Sequence, residues 1–252
     1  MSSDSATEAI LHGLSGEAAQ REQPRALICF PFAGGSTHAY WPLVRHLPAS
    51  VALYAVQVTA RPGAPDCPPS CWQDAVSAVA DEMAHRISGE FAFFGHSMGA
   101  LLGFETAREL RRRGSRLPAL LAVSGAAAPD QRAKVPDIRA GLDDPGSVQT
   151  LSGIPAAWLR RPGFRDRYMA TLRADLSLFN AYQHEPEPPL DLPVLAFGGL
   201  SDPVVPKFAL DAWREHSTHS LSTRFLPGGH FFLWDALPDI VGAVLDAWRQ
   251  GG

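Results

Sequence analysis

The stretch Phe91-Ala92-Phe93-Phe94-Gly95-His96-Ser97-Met98-Gly99 limits what this chain can become more than any other. Its first four residues are an apolar run of the kind buried inside a sheet, and Ala100 to Arg113 reads as a helix. Between them stands Gly-x-Ser-x-Gly, so the segment predicts a strand, a tight turn and a helix, the setting of a nucleophile elbow. A serine hydroxyl becomes a useful nucleophile only when a base removes its proton. A sharp turn lifts the hydroxyl clear of the sheet, and flanking glycines leave room for that turn. The N–H of Met98, at the start of the helix, can then point at a developing oxyanion.

The rest of the chain repeats the rhythm. Strand-like runs at 26–30, 52–58, 91–95, 119–124, 193–198 and 222–226 alternate with helix-like runs at 37–47, 72–87, 97–113, 206–216 and 234–249. Alternation of this kind predicts a mainly parallel central sheet flanked by helices. The central runs are continuously apolar, as strands covered on both faces should be. At 252 residues the chain suits one α/β domain, here 25–252, behind a loose polar tail at 1–24. One segment breaks the alternation. Residues 130–189 hold no convincing strand but several helical pieces, with Tyr168, Leu172, Leu176 and Phe179 near helical spacing. An insertion there predicts a helical lid over the site.

Composition excludes several classes. The net charge is −4, so no polyanion-binding surface and no nucleic-acid partner is expected. No run approaches the length of a membrane span, and the N-terminus lacks a secretory pattern, so a cytoplasmic chain without membrane association is expected. The three cysteines, Cys29, Cys67 and Cys71, make neither a disulfide framework nor a metal site. Cys29 reads as core, and Cys67 and Cys71 as free thiols.

Two further motifs fit the elbow. Leu195 to Pro203 is a strand ending in a loop that carries Asp202, and Leu226-Pro227-Gly228-Gly229-His230-Phe231-Phe232 ends a strand in a glycine loop that carries His230. The order Ser97, Asp202, His230 is that of an α/β-hydrolase triad. His230 would take the proton of Ser97 and later return it to the leaving group, while Asp202 would hold the imidazole in the right tautomer. Asp202 could instead only start a turn, and Asp130, after an earlier strand, is the competing acid. His96 adjoins the nucleophile but reads as structural. His38, His46, His85, His184, His216 and His219 read as surface or helix positions. A second oxyanion donor should come from the loop after an early strand. Phe30-Pro31-Phe32-Ala33-Gly34-Gly35-Ser36 is such a loop, with Phe32 or Ala33 as donor.

These motifs, together with Leu172-Arg173-Ala174-Asp175, resemble the type II thioesterases, discrete editing hydrolases that accompany modular polyketide and nonribosomal peptide synthases. The resemblance runs from about Arg25 to Trp248. It implies an α/β-hydrolase fold with a helical lid. It also implies hydrolysis of acyl thioesters held on the phosphopantetheine arm of an acyl or peptidyl carrier protein. Carried over, it implies Ser97, Asp202 and His230 as triad and Ala33 and Met98 as oxyanion donors, with no metal and no cofactor. Asp175 matches a recurring lid acid near the entrance, past which the arm would run. Phe179 would face Ser97, and Phe32 and Phe231 would flank the substrate. Many members have histidine at the position of Phe32, and Val58-Thr59-Ala60-Arg61-Pro62-Gly63 only loosely follows the family's loop after the second strand. The expected enzyme is a monomer or associates weakly. The rival functions are a small-molecule carboxylesterase, a cofactorless haloperoxidase, an acyltransferase, and an inert carrier- or acyl-binding module. Intact serine, acid and histidine argue against the last.

Overall fold

The strand-like runs, joined by one short segment near the N-terminus, pair into one seven-stranded sheet. In a computed structural model, which describes residues 10–16, 25–58, 72–135, 154 and 156–250, the strands are β1 (Leu11–Gly13), β2 (Arg25–Phe30), β3 (Val51–Val56), β4 (Glu90–His96), β5 (Leu121–Ser124), β6 (Val194–Gly199) and β7 (Ser222–Leu226). Their spatial order is β1-β3-β2-β4-β5-β6-β7. Every neighbouring pair is parallel except β1 with β3. The expectation of a loose tail at 1–24 is therefore corrected at one point. Leu11–Gly13 is an edge strand, with His12 opposite Ala55. Three residues carry too little periodicity to announce a strand, and pairing with β3 makes it one.

The helices are α1 (Trp72–Arg86), α2 (Met98–Arg112), α3 (Ala156–Leu159), α4 (Pro162–Ala181), α5 (Lys207–Asp211) and α6 (Leu237–Gln250). Where a helix was expected at 37–47, a 3₁₀ helix runs from Thr37 to His46. Pro42 lies inside it and has no N–H to donate to a regular helical ladder. The run expected at 206–216 divides into α5 and a 3₁₀ turn, Ala212–His216.

Alternate strand residues feed two cores, because successive side chains point to opposite faces. Ile28, Phe30, Phe93 and Val123 pack under Trp72, Leu101 and Trp213. Leu27, Cys29, Phe94 and Phe197 pack under Tyr40, Ile240 and Trp248. Fully burying one large apolar side chain contributes about 1.5–3 kcal/mol, so both layers are needed to hold the sheet. Cys29 is buried as expected, and burial pushes its thiol pKa up. Cys67, Cys71 and residues 59–63 lie outside the described residues. Among the described residues no helix is long and apolar enough to cross a membrane.

Of the segment expected as a lid, residues 136–153 and 155 lie outside the described residues. The rest is helical up to Ala181, irregular from 182 to 189, and contains a small core of its own, Tyr168, Met169, Leu172 and Leu176. Its exit is tied to α2. Tyr182 donates to Glu105 at 2.9 Å, and Arg108 bridges Glu105 at 2.7 Å and Glu187 at 2.8 Å. The helix that begins at the elbow thus also anchors the chain leaving α4.

Candidate active site

The elbow has the shape its sequence requires. Ser97 sits at φ 54°, ψ −121°, and is the single non-glycine with positive φ among the described residues. A conformation so sparsely populated persists only where the surroundings impose it. Here the Ser97 N–H donates to the Ser124 carbonyl at 2.8 Å, and α2 starts at the next residue. The glycines are required by contact. A Cβ on Gly99 would lie 2.0 Å from the Phe30 carbonyl oxygen, and one on Gly95 would lie 2.4 Å from that of Gly99. The elbow is pressed against β2, and only hydrogen fits in the gap.

Asp202 follows β6, and His230 follows β7. The Asp202 carboxylate is fully buried, and its Oδ2 lies 2.9 Å from Nδ1 of His230, itself only 2% exposed at the side chain. The other oxygen, Oδ1, accepts the N–H groups of Val204 at 2.8 Å and Val205 at 3.3 Å. The aspartate shapes its turn with one oxygen and meets the histidine with the other. With Nδ1 donating to the carboxylate, Nε2 becomes the basic nitrogen. Asp130, the competing acid, is engaged elsewhere, with Oδ1 2.8 Å from Nε2 of His216. His216 was expected at a surface or helix position; it ends its 3₁₀ turn but is buried against Phe104 and Trp213.

Ser97 opens into a cavity of about 420 Å³ whose walls include Leu101, Arg132, Leu176, Phe179 and Asn180. That volume falls within the usual range for small-molecule sites, roughly 300–1,000 Å³. Phe179, expected to face Ser97, does line the same cavity. Arg132 and Asn180 were not anticipated. The Arg132 guanidinium lies 4.1 Å from the Phe179 ring centre and donates to Asn180 Oδ1 at 3.0 Å. No spacing rule singles out these two, which meet only because α4 folds over the 3₁₀ turn Pro129–Lys134.

The arrangement is that of a serine hydrolase, and comparison with known proteins names its family. The thioesterase domain model matches residues 25–247. The chain belongs to the thioesterase family. Among its relatives, the gramicidin S biosynthesis protein GrsT of Aneurinibacillus migulanus is 33% identical over 218 residues, covering 85% of each chain. The RedJ thioesterase of the prodiginine pathway in Streptomyces coelicolor superposes with a TM-score of 0.81 at 35% identity, over 90% of this chain and 87% of that one. The type II thioesterase BorB of the borrelidin cluster superposes equally, at 0.81, with 26% identity over 96% and 98% of the two chains. The α/β-hydrolase fold and the thioesterase activity expected from sequence are thus those of its family.

Three expected substrate contacts of this thioesterase stand elsewhere. Phe32 is buried edge-on against Phe231, with ring centres 4.9 Å apart, and neither ring lines the cavity. Phe231 lies 5.3 Å from the His230 ring and 5.2 Å from that of His96. Together they pack the histidine loop onto the sheet. Asp175, expected beside an entrance, is 1% exposed, and its Oδ2 accepts the Gly34 N–H at 2.7 Å.

His96 is structural, as expected. It is fully buried, its Nδ1 lies 3.0 Å from Ser124 Oγ, and burial followed by the neighbouring His230 holds its pKa well below the ordinary range. His184 is lowered too, by burial first and then by His216. Below the ordinary histidine value of about 6.5, the unfolded chain takes up protons that these two folded imidazoles refuse. Stability therefore falls as pH falls through that value. Buried Glu105, shifted upward by desolvation, works in the opposite sense toward the acid end. Melting temperatures are expected to decline from about pH 7.5 to pH 6. Scanning calorimetry at fixed ionic strength checks this, and a rising midpoint over that interval would contradict it.

Proposed function

We propose that this chain is a serine thioesterase that hydrolyses acyl groups from the phosphopantetheine arm of an acyl or peptidyl carrier protein, in editing or release during polyketide or nonribosomal peptide synthesis. The observation that carries the proposal is the buried Asp202–His230 pair at the ends of adjacent strands, its imidazole 5.1 Å from the ring of His96, the neighbour of a strained serine that opens into a cavity. Relatives named for gramicidin S biosynthesis, the prodiginine pathway and the borrelidin cluster support a place in such synthesis. In this reading Ser97 Oγ attacks the thioester carbon while His230 Nε2 takes its proton. The N–H groups of Ala33 and Met98 hold the oxyanion. Met98 is the first residue of α2, where backbone N–H groups lack helical partners. The carbon–sulfur bond breaks, and the proton leaves with the thiol. Water then gives a proton to His230 and attacks the acyl-serine, releasing the acid and returning the proton to Ser97. A thiol is a good leaving group, so triad and oxyanion hole suffice. The enzyme would work as a cytoplasmic monomer, with residues 130–189 as its lid.

The test compares one acyl group on a carrier protein, on coenzyme A and as a simple oxygen ester. The carrier substrate should be hydrolysed with the highest kcat/KM. Preference for the oxygen ester would favour the small-molecule esterase instead. The lid reading adds a second expectation. Phe179→Trp, which fills the cavity, should shift activity on carrier-bound acetyl through decanoyl groups toward the short chains. An unchanged profile would mean that α4 only packs and does not select.

A further inference from the structure

A long-range contact joins the lid helix to the loop after β2. Asp175 lies in the middle of α4 and is almost fully buried, yet its carboxylate accepts a backbone N–H 141 residues away, that of Gly34. A second residue of α4 grips the same glycine. A Cβ added to Gly34 would stand 2.9 Å from the Tyr168 hydroxyl and 3.0 Å from its ring, so the phenol end of Tyr168 is pressed against the glycine. Gly34 has φ +76°, a conformation that a side chain would resist. The loop is also braced from within, since the Gly35 N–H donates to the Phe32 carbonyl at 2.8 Å.

We propose that the lid helix is a working part of the oxyanion hole, with Asp175 as a positioning residue that sets the Ala33 N–H by holding the next peptide. This rests on the reading of Ala33 as an oxyanion donor. The physical argument is short. Oxyanion donors act by pre-orientation and lose their effect when free to swing. The Phe32–Gly35 loop has little regular structure to restrain it, and a buried carboxylate makes a strong, charge-assisted bond to an N–H. Because that bond points the Gly34 N–H toward α4, the Gly34 group is spoken for, and the adjacent Ala33 N–H keeps a fixed direction relative to it. Seating the lid and completing the hole are then one event. An enzyme whose lid helix is displaced keeps its triad but stabilises the tetrahedral intermediate poorly.

The experiment uses the full chain with one carrier-bound acyl substrate and a trifluoromethyl ketone analogue of the same acyl group. That analogue forms a hemiketal oxyanion with Ser97. Asp175→Leu removes the acceptor but keeps bulk and helix propensity. It should lower kcat by roughly 100-fold, the scale of a misplaced catalytic group, with KM nearly unchanged, and should weaken the ketone in parallel. Asp175→Asn keeps an acceptor oxygen and should restore most of both. A purely structural role would shift the melting temperature without separating kcat from KM or the ketone from the substrate. Should Asp175→Leu not fold, Tyr168→Leu tests the other half of the grip and should show the same separation to a smaller degree. Unchanged kcat in the folded variant, or a loss confined to KM as for a contact with the arm, overturns the proposal. A wild-type chain without Ser97-dependent thioester hydrolysis would instead overturn the functional reading on which it rests.

Discussion

A Ser97→Ala variant is expected to lose turnover by roughly 10⁶-fold, the cost of removing a triad serine elsewhere, while its fold survives. The structure explains why the two effects separate. The strained backbone at Ser97 is imposed by the Ser97–Ser124 backbone bond and by the close packing of Gly95 and Gly99. Alanine has the same steric demand at positive φ as serine, so none of these restraints is disturbed. What disappears is the one oxygen that can carry the acyl group. Wild-type protein treated with a serine-reactive phosphonate should gain one adduct, found by mass spectrometry on the peptide containing Ser97, and the variant should gain none. An adduct at another serine would reject the elbow as the reactive centre. Circular dichroism and a cooperative melt show whether the variant is native.

Asp202→Asn is expected to lower turnover by about 10⁴-fold, as in the worked serine-protease triad, and the hydrogen bonds indicate how. The Oδ1 atom of Asp202 is held by the N–H groups of Val204 and Val205. In the variant those donors keep the amide oxygen on their side, and the amide nitrogen is turned toward Nδ1 of His230. A donor there forces the imidazole proton onto Nε2, the nitrogen that must accept from Ser97. The variant is thus locked in the wrong tautomer rather than merely weakened. Asp130→Asn should change turnover far less, since Asp130 is committed to His216. Parallel steady-state measurements on the two variants decide the matter. A larger loss at Asp130 would move the acid to the loop after β5.

Much of this could be read from the chain itself. Continuous apolar runs mark the central strands, buried on both faces, and β2 through β7 all lie within two residues of the strand-like runs, the polar edge strand β7 included. Helix ends were less legible. Pro42 turns one expected helix into a 3₁₀ run, and the one expected to begin at Trp234 starts at Leu237, behind a 3₁₀ turn over Phe232–Trp234. The loop positions of Ser97, Asp202 and His230 were legible because each depends on a local device. A glycine-flanked turn, an aspartate at a strand end and a glycine loop around a histidine are written in a few adjacent residues.

By itself, then, the sequence determined the strand and helix alternation, the elbow, and the places of Ser97, Asp202 and His230 on loops that follow strands. Tertiary structure alone decided who meets whom across the fold. It paired Leu11–Gly13 with β3, turned Phe32 and Phe231 toward each other, put Arg132 and Asn180 in the cavity wall, and buried Asp175 against Gly34. The physical reason is common to all four. Hydrophobic periodicity tells which face of an element avoids water, because that preference is a property of the element alone. Which group lies opposite depends on the packing of distant segments, and a carboxylate on a helix reads the same whether it will face solvent or accept an amide proton 141 residues away.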